Sequence, residues 1–263
     1  MKFRIVADSS VDIKEIAYSV PFSTVPLKII TAEREYIDTS ELDGGKMAEE
    51  LRRYKGKSRS SCPNPDEYIS AFGDADRVFC VTITSGLSGS CNAARAAAKE
   101  YEAAHPDRRV EVIDSLSTGP ECALTVERIA ELLDSGCDFD EICGRISEYK
   151  EKTGLLFALE SLHNLAANGR VNPIVAKLSG LLGIRVVGKA SDKGTLEIVE
   201  KSRGRSAAIS SLFGLMEREG YSGGRVRIHH TKNPEATVTV GTTGGLCSFY
   251  AELGGVLVGF EKK

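Results

Sequence analysis

Val81–Ala97 reads VTITSGLSGSCNAARAA, and the fold follows from its three parts. Val81-Thr82-Ile83-Thr84 continues Val78-Phe79-Cys80, a run of β-branched and apolar residues that predicts a buried strand. Ser85-Gly86-Leu87-Ser88-Gly89-Ser90 is a turn of small residues, with glycines able to take positive φ. From Asn92 to Lys99 the chain is rich in alanine, the best helix former. Strand, turn and helix start together leave unpaired N–H groups and about half a positive charge at the turn. The hydroxyls of Thr84, Ser85, Ser88 and Ser90 surround that point. Ser88 or Ser90 could simply cap the helix. One cap needs one serine, however, and this turn has three, so an anionic ligand is the expectation.

Toward the N-terminus, Phe3–Ala7 predicts a strand ending in Asp8-Ser9-Ser10, and a short helix is expected from Asp12 to Tyr18. Asp8 falls where a parallel strand meets its loop, the usual edge for ligand groups in open α/β sheets; turn or cap former is its plainer reading. Phe22–Ile30 reads as extended, with Glu35–Asp38 as a possible partner, and Asp43 to Tyr54 as an amphipathic helix. Lys55–Ser61 reads as a polar loop before Cys62-Pro63-Asn64-Pro65 and a helix over Asp66–Phe72. The two prolines hold that connection extended, so Ser60 and Ser61 are presented from a stiffened segment.

Toward the C-terminus, Val110–Ile113 predicts another strand, ending in a second hydroxyl-rich turn, Asp114-Ser115-Leu116-Ser117-Thr118-Gly119. Helices follow to about Leu133 and from Phe139 to Tyr149. This alternation predicts a doubly wound, mainly parallel α/β domain over residues 1–153.

The pattern then changes. Leu155–Leu159 reads as a strand and Leu162–Ala167 as a short helix stopped by Asn168-Gly169-Arg170. Ile184–Val187 and Thr195–Val199 flank Ser191-Asp192-Lys193-Gly194, a hairpin turn. A helix over Arg205–Glu219 precedes strands at Arg225–His229, Thr237–Val240 and Val256–Phe260. Hairpins in place of βαβ units predict a second, α+β domain over residues 154–263 with a mostly antiparallel sheet.

With 263 residues, 41% of them hydrophobic, the chain is long enough to bury real cores. A net charge of −3 without a basic cluster gives no reason to expect nucleic acid. No apolar run reaches the length of a membrane span, and the N-terminus lacks a signal peptide's apolar core, so a soluble cytoplasmic protein is expected. Seven scattered cysteines without a C-x-x-C pair read as reduced, packed thiols. A metal is not expected, since the adjacent His229 and His230 of a strand point to opposite faces.

Five segments, in order, resemble the DegV family, whose characterised members bind fatty acids as the B subunit of bacterial fatty acid kinase. FRIVADSSVDI (Phe3–Ile13) is similar to the family's opening strand-Asp-Ser-Ser segment, and SSCPNPDEY (Ser60–Tyr68) to its Thr-Ser-Gln-Pro-Ser-Pro stretch. Thr84–Asn92 resembles its Ser-Gly-Leu-Ser-Gly-Thr turn, VIDSLST (Val112–Thr118) its Ile-Asp-Ser segment, and LHNLAANGRV (Leu162–Val171) its Leu-x-x-Leu-x-x-Gly-Gly-Arg-Ile segment. The resemblance implies two α/β domains enclosing an acyl chain, the second closing over it. It implies a carboxylate held by Ser60 and Ser88, with Asp8, Ser61, Thr84, Ser85, Gly86, Gly89, Asp114, Ser115 and Arg170 in support. It further implies a long-chain fatty acid as ligand, no cofactor, and a kinase catalytic subunit as partner that phosphorylates the carboxylate. The protein would then be a carrier and no enzyme. Arg203 and Arg205, in the charged stretch Glu200–Arg205, are candidates for docking that partner, although a solvated face is the plainer reading. Three departures accompany the resemblance: Ser60 in place of threonine, Asn64 in place of serine, and no histidine in Ser248–Gly255, where many members carry His-x-Gly-Pro-Gly.

Two rivals use the same turn. Gly86-Leu87-Ser88 begins a G-x-S pattern, but a nucleophile elbow needs glycine where Ser90 stands; a serine hydrolase would have to recruit His163 or His229. A phosphate- or nucleotide-binding enzyme could use the helix start, yet neither G-x-x-x-x-G-K-[ST] nor G-x-G-x-x-G occurs.

Overall fold

The computed structural model describes residues 1–176, 183–232 and 240–262. The elements run β1 (Phe3–Asp8), β2 (Phe22–Val25), β3 (Lys28–Ile30), β4 (Glu35–Ile37), α1 (Gly44–Arg53), β5 (Arg59–Ser61), α2 (Pro65–Phe72), β6 (Arg77–Thr82), α3 (Ser90–Ala104), β7 (Arg109–Asp114), α4 (Pro120–Asp134) and α5 (Phe139–Glu151). They continue with β8 (Thr153–Leu159), α6 (His163–Ala167), α7 (Pro173–Ala176), β9 (Ile184–Ala190), β10 (Leu196–Arg203), α8 (Arg205–Arg218), β11 (Tyr221–His230), β12 (Val240–Thr242), α9 (Gly245–Ala251) and β13 (Val256–Lys262).

Alternation along β1 and β6 builds the first sheet, a parallel one in the order β2-β1-β6-β7. Ile5, Ala7, Phe79 and Val81 pack with Val126, Ile129 and Ile142 of α4 and α5. Val6, Val78 and Cys80 turn the other way, against Tyr68, Phe72, Ala94 and Tyr101 of α2 and α3. Neighbouring residues thus serve opposite cores, as a strand covered on both faces requires.

The second sheet has the order β10-β9-β8-β13-β11-β12 and is antiparallel except for the β11–β12 pair. Leu156 and Ala158 pack against Leu212 and Leu215 of α8, while Leu155, Phe157 and Leu159 face away with Leu165 and Leu257. The expected fold class, a doubly wound parallel sheet followed by a mostly antiparallel one, is therefore found. A third, small antiparallel sheet, β4-β3-β5, sets Ser60 opposite Ile29.

Several local expectations need correction. Asp12–Tyr18 is not helical: Ser9–Val11 makes one 3-10 turn that Asp12 ends at φ 56°. Ile13, Ile16 and Tyr18 then pack on the first core from irregular chain, so their helix-like spacing reflects burial alone. Lys55–Ser61 is not all loop, because its last three residues form β5 on the edge of β3. Helix α9 was not foreseen. Its N-terminus is capped from afar, by Asp38 on the N–H groups of Gly245 (2.5 Å) and Leu246 (2.8 Å) and by Asp12 on Gly244 N–H (2.8 Å). Of the expected strand Thr237–Val240 only Val240 is described, as the first residue of β12; the rest, with the segment from Pro234, lies outside the described residues.

Candidate functional site

The outward face of β8 meets the turn before α3 across an apolar cavity. Leu155, Phe157 and Leu159 of β8 line it together with Leu27, Ile83, Leu87, Leu165, Leu246, Ala251 and Leu257. Polar groups are few and gathered: Ser60, Ser88, Thr118, Arg170 and Tyr250. A mostly apolar pocket with a few convergent polar groups suits an amphipathic small molecule.

Local structure explains each polar group. Ser60 is held by the β5–β3 pairing, and its Oγ lies 2.6 Å from the phenol oxygen of Tyr250. Helix α3 begins at Ser90 behind Gly89, its N-cap, which offers no side-chain bond. Ser88 Oγ accepts the N–H of Ser90 at 3.2 Å, one position before a usual cap. The turn is closed by the N–H groups of Leu87 and Ser88 on the Thr84 carbonyl, both at 3.2 Å. Arg170 donates from Nε to the Leu87 carbonyl at 3.1 Å and from a guanidinium N–H to the carbonyl of Asn168. A half-buried guanidinium is thereby fastened to the turn that carries Ser88.

None of the remaining residues singled out above lines the cavity, and several of them tie the turns together. Asp8 is buried and accepts four bonds: Ser10 N–H and Oγ–H, Ile83 N–H at 2.9 Å and Ser90 Oγ–H at 2.6 Å. It ties the ends of β1 and β6 to the start of α3, and burial pushes its carboxyl up despite those donors. Asp114 joins the two hydroxyl-rich turns, accepting from Ser85 N–H and Leu116 N–H at 3.1 Å each. Thr84 accepts Gly86 N–H, Ser115 bonds within its own turn to Ser117, and Ser61 donates to the Cys62 carbonyl. Gly89 leaves room for Cys62, whose sulfur an added Cβ would approach to 3.3 Å. Arg203 and Arg205 are exposed at the junction of β10 and α8, away from the cavity lining, with Arg205 Nε 3.8 Å from Glu160 Oε1.

Sequence reasoning placed neither Thr118 nor Tyr250 at the site, and Tyr250 is the harder of the two to find. Its only signal was a polar-tipped aromatic in Ser248–Gly255, inside a helix that had not been recognised. Among the described residues no hydrogen bond joins Ser88 to His163 or His229; His229 is buried with Nδ1 3.5 Å from Asp12 Oδ2. Also among the described residues, no His/Cys/Asp/Glu group could hold a metal ion, and no helix is long and apolar enough to cross a membrane.

Comparison with known proteins gives this geometry a family. A family model described as an uncharacterised protein of the DegV family matches residues 2–242. A DegV domain-containing protein of Streptococcus pneumoniae is 40% identical over 279 aligned positions, covering 99% of both chains. The crystal structure of the Streptococcus pneumoniae fatty acid kinase (Fak) B3 protein loaded with linoleic acid superposes with a TM-score of 0.96 at 40% identity over all of both chains. A DegV family protein from Eubacterium eligens loaded with heptadecanoic acid gives 0.93 at 43% identity, over 99% of this chain and 100% of that one. With residues 2–242 matched and a 40% identical relative aligned nearly end to end, the chain belongs to the DegV family.

Proposed function

We propose that the chain binds a long-chain fatty acid in this cavity, with the carboxylate at Ser60 and Ser88, and presents it to a kinase subunit for acyl-phosphate formation. The observation that carries the reading is the meeting of two serine hydroxyls and a guanidinium at one apolar cavity. A fatty acid is ionised at neutral pH, so its head takes donors and its tail takes hydrocarbon. Ser60, Ser88 and Arg170 are the donors. Roughly 14 methylenes at about 0.8 kcal/mol each give on the order of 11 kcal/mol of gross transfer energy. Each charge-assisted bond to the head adds about 1.5–3 kcal/mol. The tail thus dominates affinity and the head sets register. The linoleic acid and heptadecanoic acid in the two relatives support this choice of ligand.

The division at residues 1–153 and 154–263 is part of the same proposal. The parallel sheet draws its strands from before residue 115 and the six-stranded sheet from after residue 152, and cavity-lining residues come from both. Helix α9 departs from a clean division, since its caps belong to the N-terminal part.

Phosphorylation of the carboxylate falls, in this reading, to a partner subunit. The Fak B3 relative supports a kinase subunit in that role, and a nucleotide-dependent kinase would act in the cytoplasm. Arg203 and Arg205 offer exposed cationic groups for docking it. Native mass spectrometry of the purified protein tests the ligand: an intact long-chain fatty acid, displaceable by added heptadecanoic acid, is expected. Failure of the protein to retain or bind any fatty acid would sink the reading. Arg203→Ala and Arg205→Ala should keep fatty acid affinity and slow turnover by the kinase; unchanged turnover in both would move the docking surface elsewhere.

A further inference from the structure

Ser60 is not a lone hydroxyl. Its Oγ lies 2.6 Å from the hydroxyl of Tyr250, 190 positions away in sequence, and both residues line the cavity. The Tyr250 ring is packed by Phe249, 4.8 Å between centroids, and touches three apolar clusters, among them Leu27, Ile83 and Leu246.

The helix that carries it is pinned at both ends. Asp12 and Asp38 hold the N–H groups of Gly244, Gly245 and Leu246. At the far end Asn164 Nδ2 donates to the Phe249 carbonyl at 2.8 Å, and Glu252 accepts Ser161 Oγ–H at 2.8 Å. The phenol oxygen is therefore fixed in space relative to β5.

Donor counting then sets the direction of the bond. A serine hydroxyl has one proton and two lone pairs, a phenol one proton, and an ionised carboxylate none. Once Ser60 gives its proton to a carboxylate, Tyr250 must be the donor to Ser60. Burial pushes the Tyr250 phenol up from its ordinary value, so it keeps its proton at neutral pH. The molecule contains the completed form of this chain elsewhere. Tyr68 lies 2.6 Å from Ser90 Oγ, and Ser90 donates at 2.6 Å to the Asp8 carboxylate. Tyr250 and Ser60 repeat the first half of that relay beside a cavity, with the carboxylate position left to a ligand.

We propose that Tyr250 is a positioning residue of the head-group site: its hydroxyl donates to Ser60 and turns the Ser60 proton onto the ligand's carboxylate. The inference rests on the fatty acid reading above. Cooperative polarisation along the chain strengthens the Ser60 contact, and loss of the phenol lets the serine rotor turn away.

The test compares heptadecanoic acid with its methyl ester, whose tail is the same and whose head carries no charge. Tyr250→Phe keeps the ring and should keep the melting temperature. It should weaken the acid about 3- to 10-fold, the weight of one hydrogen bond, and leave the ester within about 2-fold. In a Ser60→Ala background the same substitution should change acid binding no further. Equal weakening of acid and ester would make Tyr250 a packing residue only. Full additivity with Ser60→Ala would remove the relay. A wild-type protein that binds neither compound would instead overturn the fatty acid reading, and this inference with it.

Discussion

The carboxylate of Asp38 lies 2.8 Å from the N–H of Leu246, so a residue just beyond β4 holds the first turn of α9. Burial pushes the Asp38 carboxyl up to about 7; neighbouring Asp12 adds to the rise, while the N–H groups of Leu246 and Gly245 and the Ser9 hydroxyl act against it. The folded value exceeds the ordinary carboxyl value of about 4, so the folded state holds a proton that the unfolded state has lost. The Asp38 contribution is fully present below about pH 4 and is lost as pH rises toward about 7. Asp38→Asn keeps the shape and cannot titrate. Wild type should therefore gain on the variant by about 2 kcal/mol in all as pH is lowered from 7 to 5. Urea unfolding at pH 5, 6, 7 and 8 checks this, and a difference that stays flat would show that Asp38 is ionised throughout.

Asp8 makes a contrasting case. Its four donors come from Ser10, Ile83 and Ser90, and all are satisfied inside the protein. Asp8→Ala orphans them together, and the loss of stability should be on the order of 3 kcal/mol or more. Denaturant midpoints measure it. A fully stable Asp8→Ala protein that had lost only its ligand would return Asp8 to the binding site proper.

The hairpin turn at Gly194 seats on the same region. Gly194 has φ 70°, and a Cβ there would come within 1.9 Å of Thr84 Oγ1. Gly194→Ala combines left-handed backbone strain with a clash, so the melting temperature should fall by about 3 °C or more. An unchanged melting temperature would mean that the hairpin is not packed on Thr84.

What was legible in the sequence depended on how local its cause was. The strand and helix expected at Val78–Thr84 and Asn92–Lys99 carry their own signals in β-branched residues and alanines, and β6 and α3 are found there, the strand ending at Thr82 and the helix running on to Ala104. Strand β5 has no such signal: Arg59, Ser60 and Ser61 extend because β3, some thirty residues earlier, offers an edge. The start of α9 contains Gly244 and Gly245 with no capping side chain of its own, its caps being 207 and 232 residues away. Reading Ser60 and Ser88 as one site was possible from the family resemblance. Tyr250 was out of reach because its partner is set by tertiary packing alone.

Ser88 separates ligand binding from helix capping. Its Oγ accepts the Ser90 N–H at 3.2 Å, and Gly89 stands at the N-cap itself, so the hydroxyl lends α3 modest support. Loss of that bond in Ser88→Ala should cost no more than about 1 kcal/mol, or roughly 2–4 °C in a chain of this size. If Ser88 also donates to a carboxylate, the same change removes a charge-assisted bond of about 1.5–3 kcal/mol, which is roughly 10- to 100-fold in affinity for a fatty acid. The tail contacts with Leu155, Phe157 and Leu257 remain, so the variant should bind acyl chains weakly and still bind them. Melting temperature and fatty acid dissociation constant, measured on one preparation, decide between the two roles. A variant that melts lower and binds with wild-type affinity would reduce Ser88 to a support of its helix and leave the carboxylate to Ser60 and Arg170.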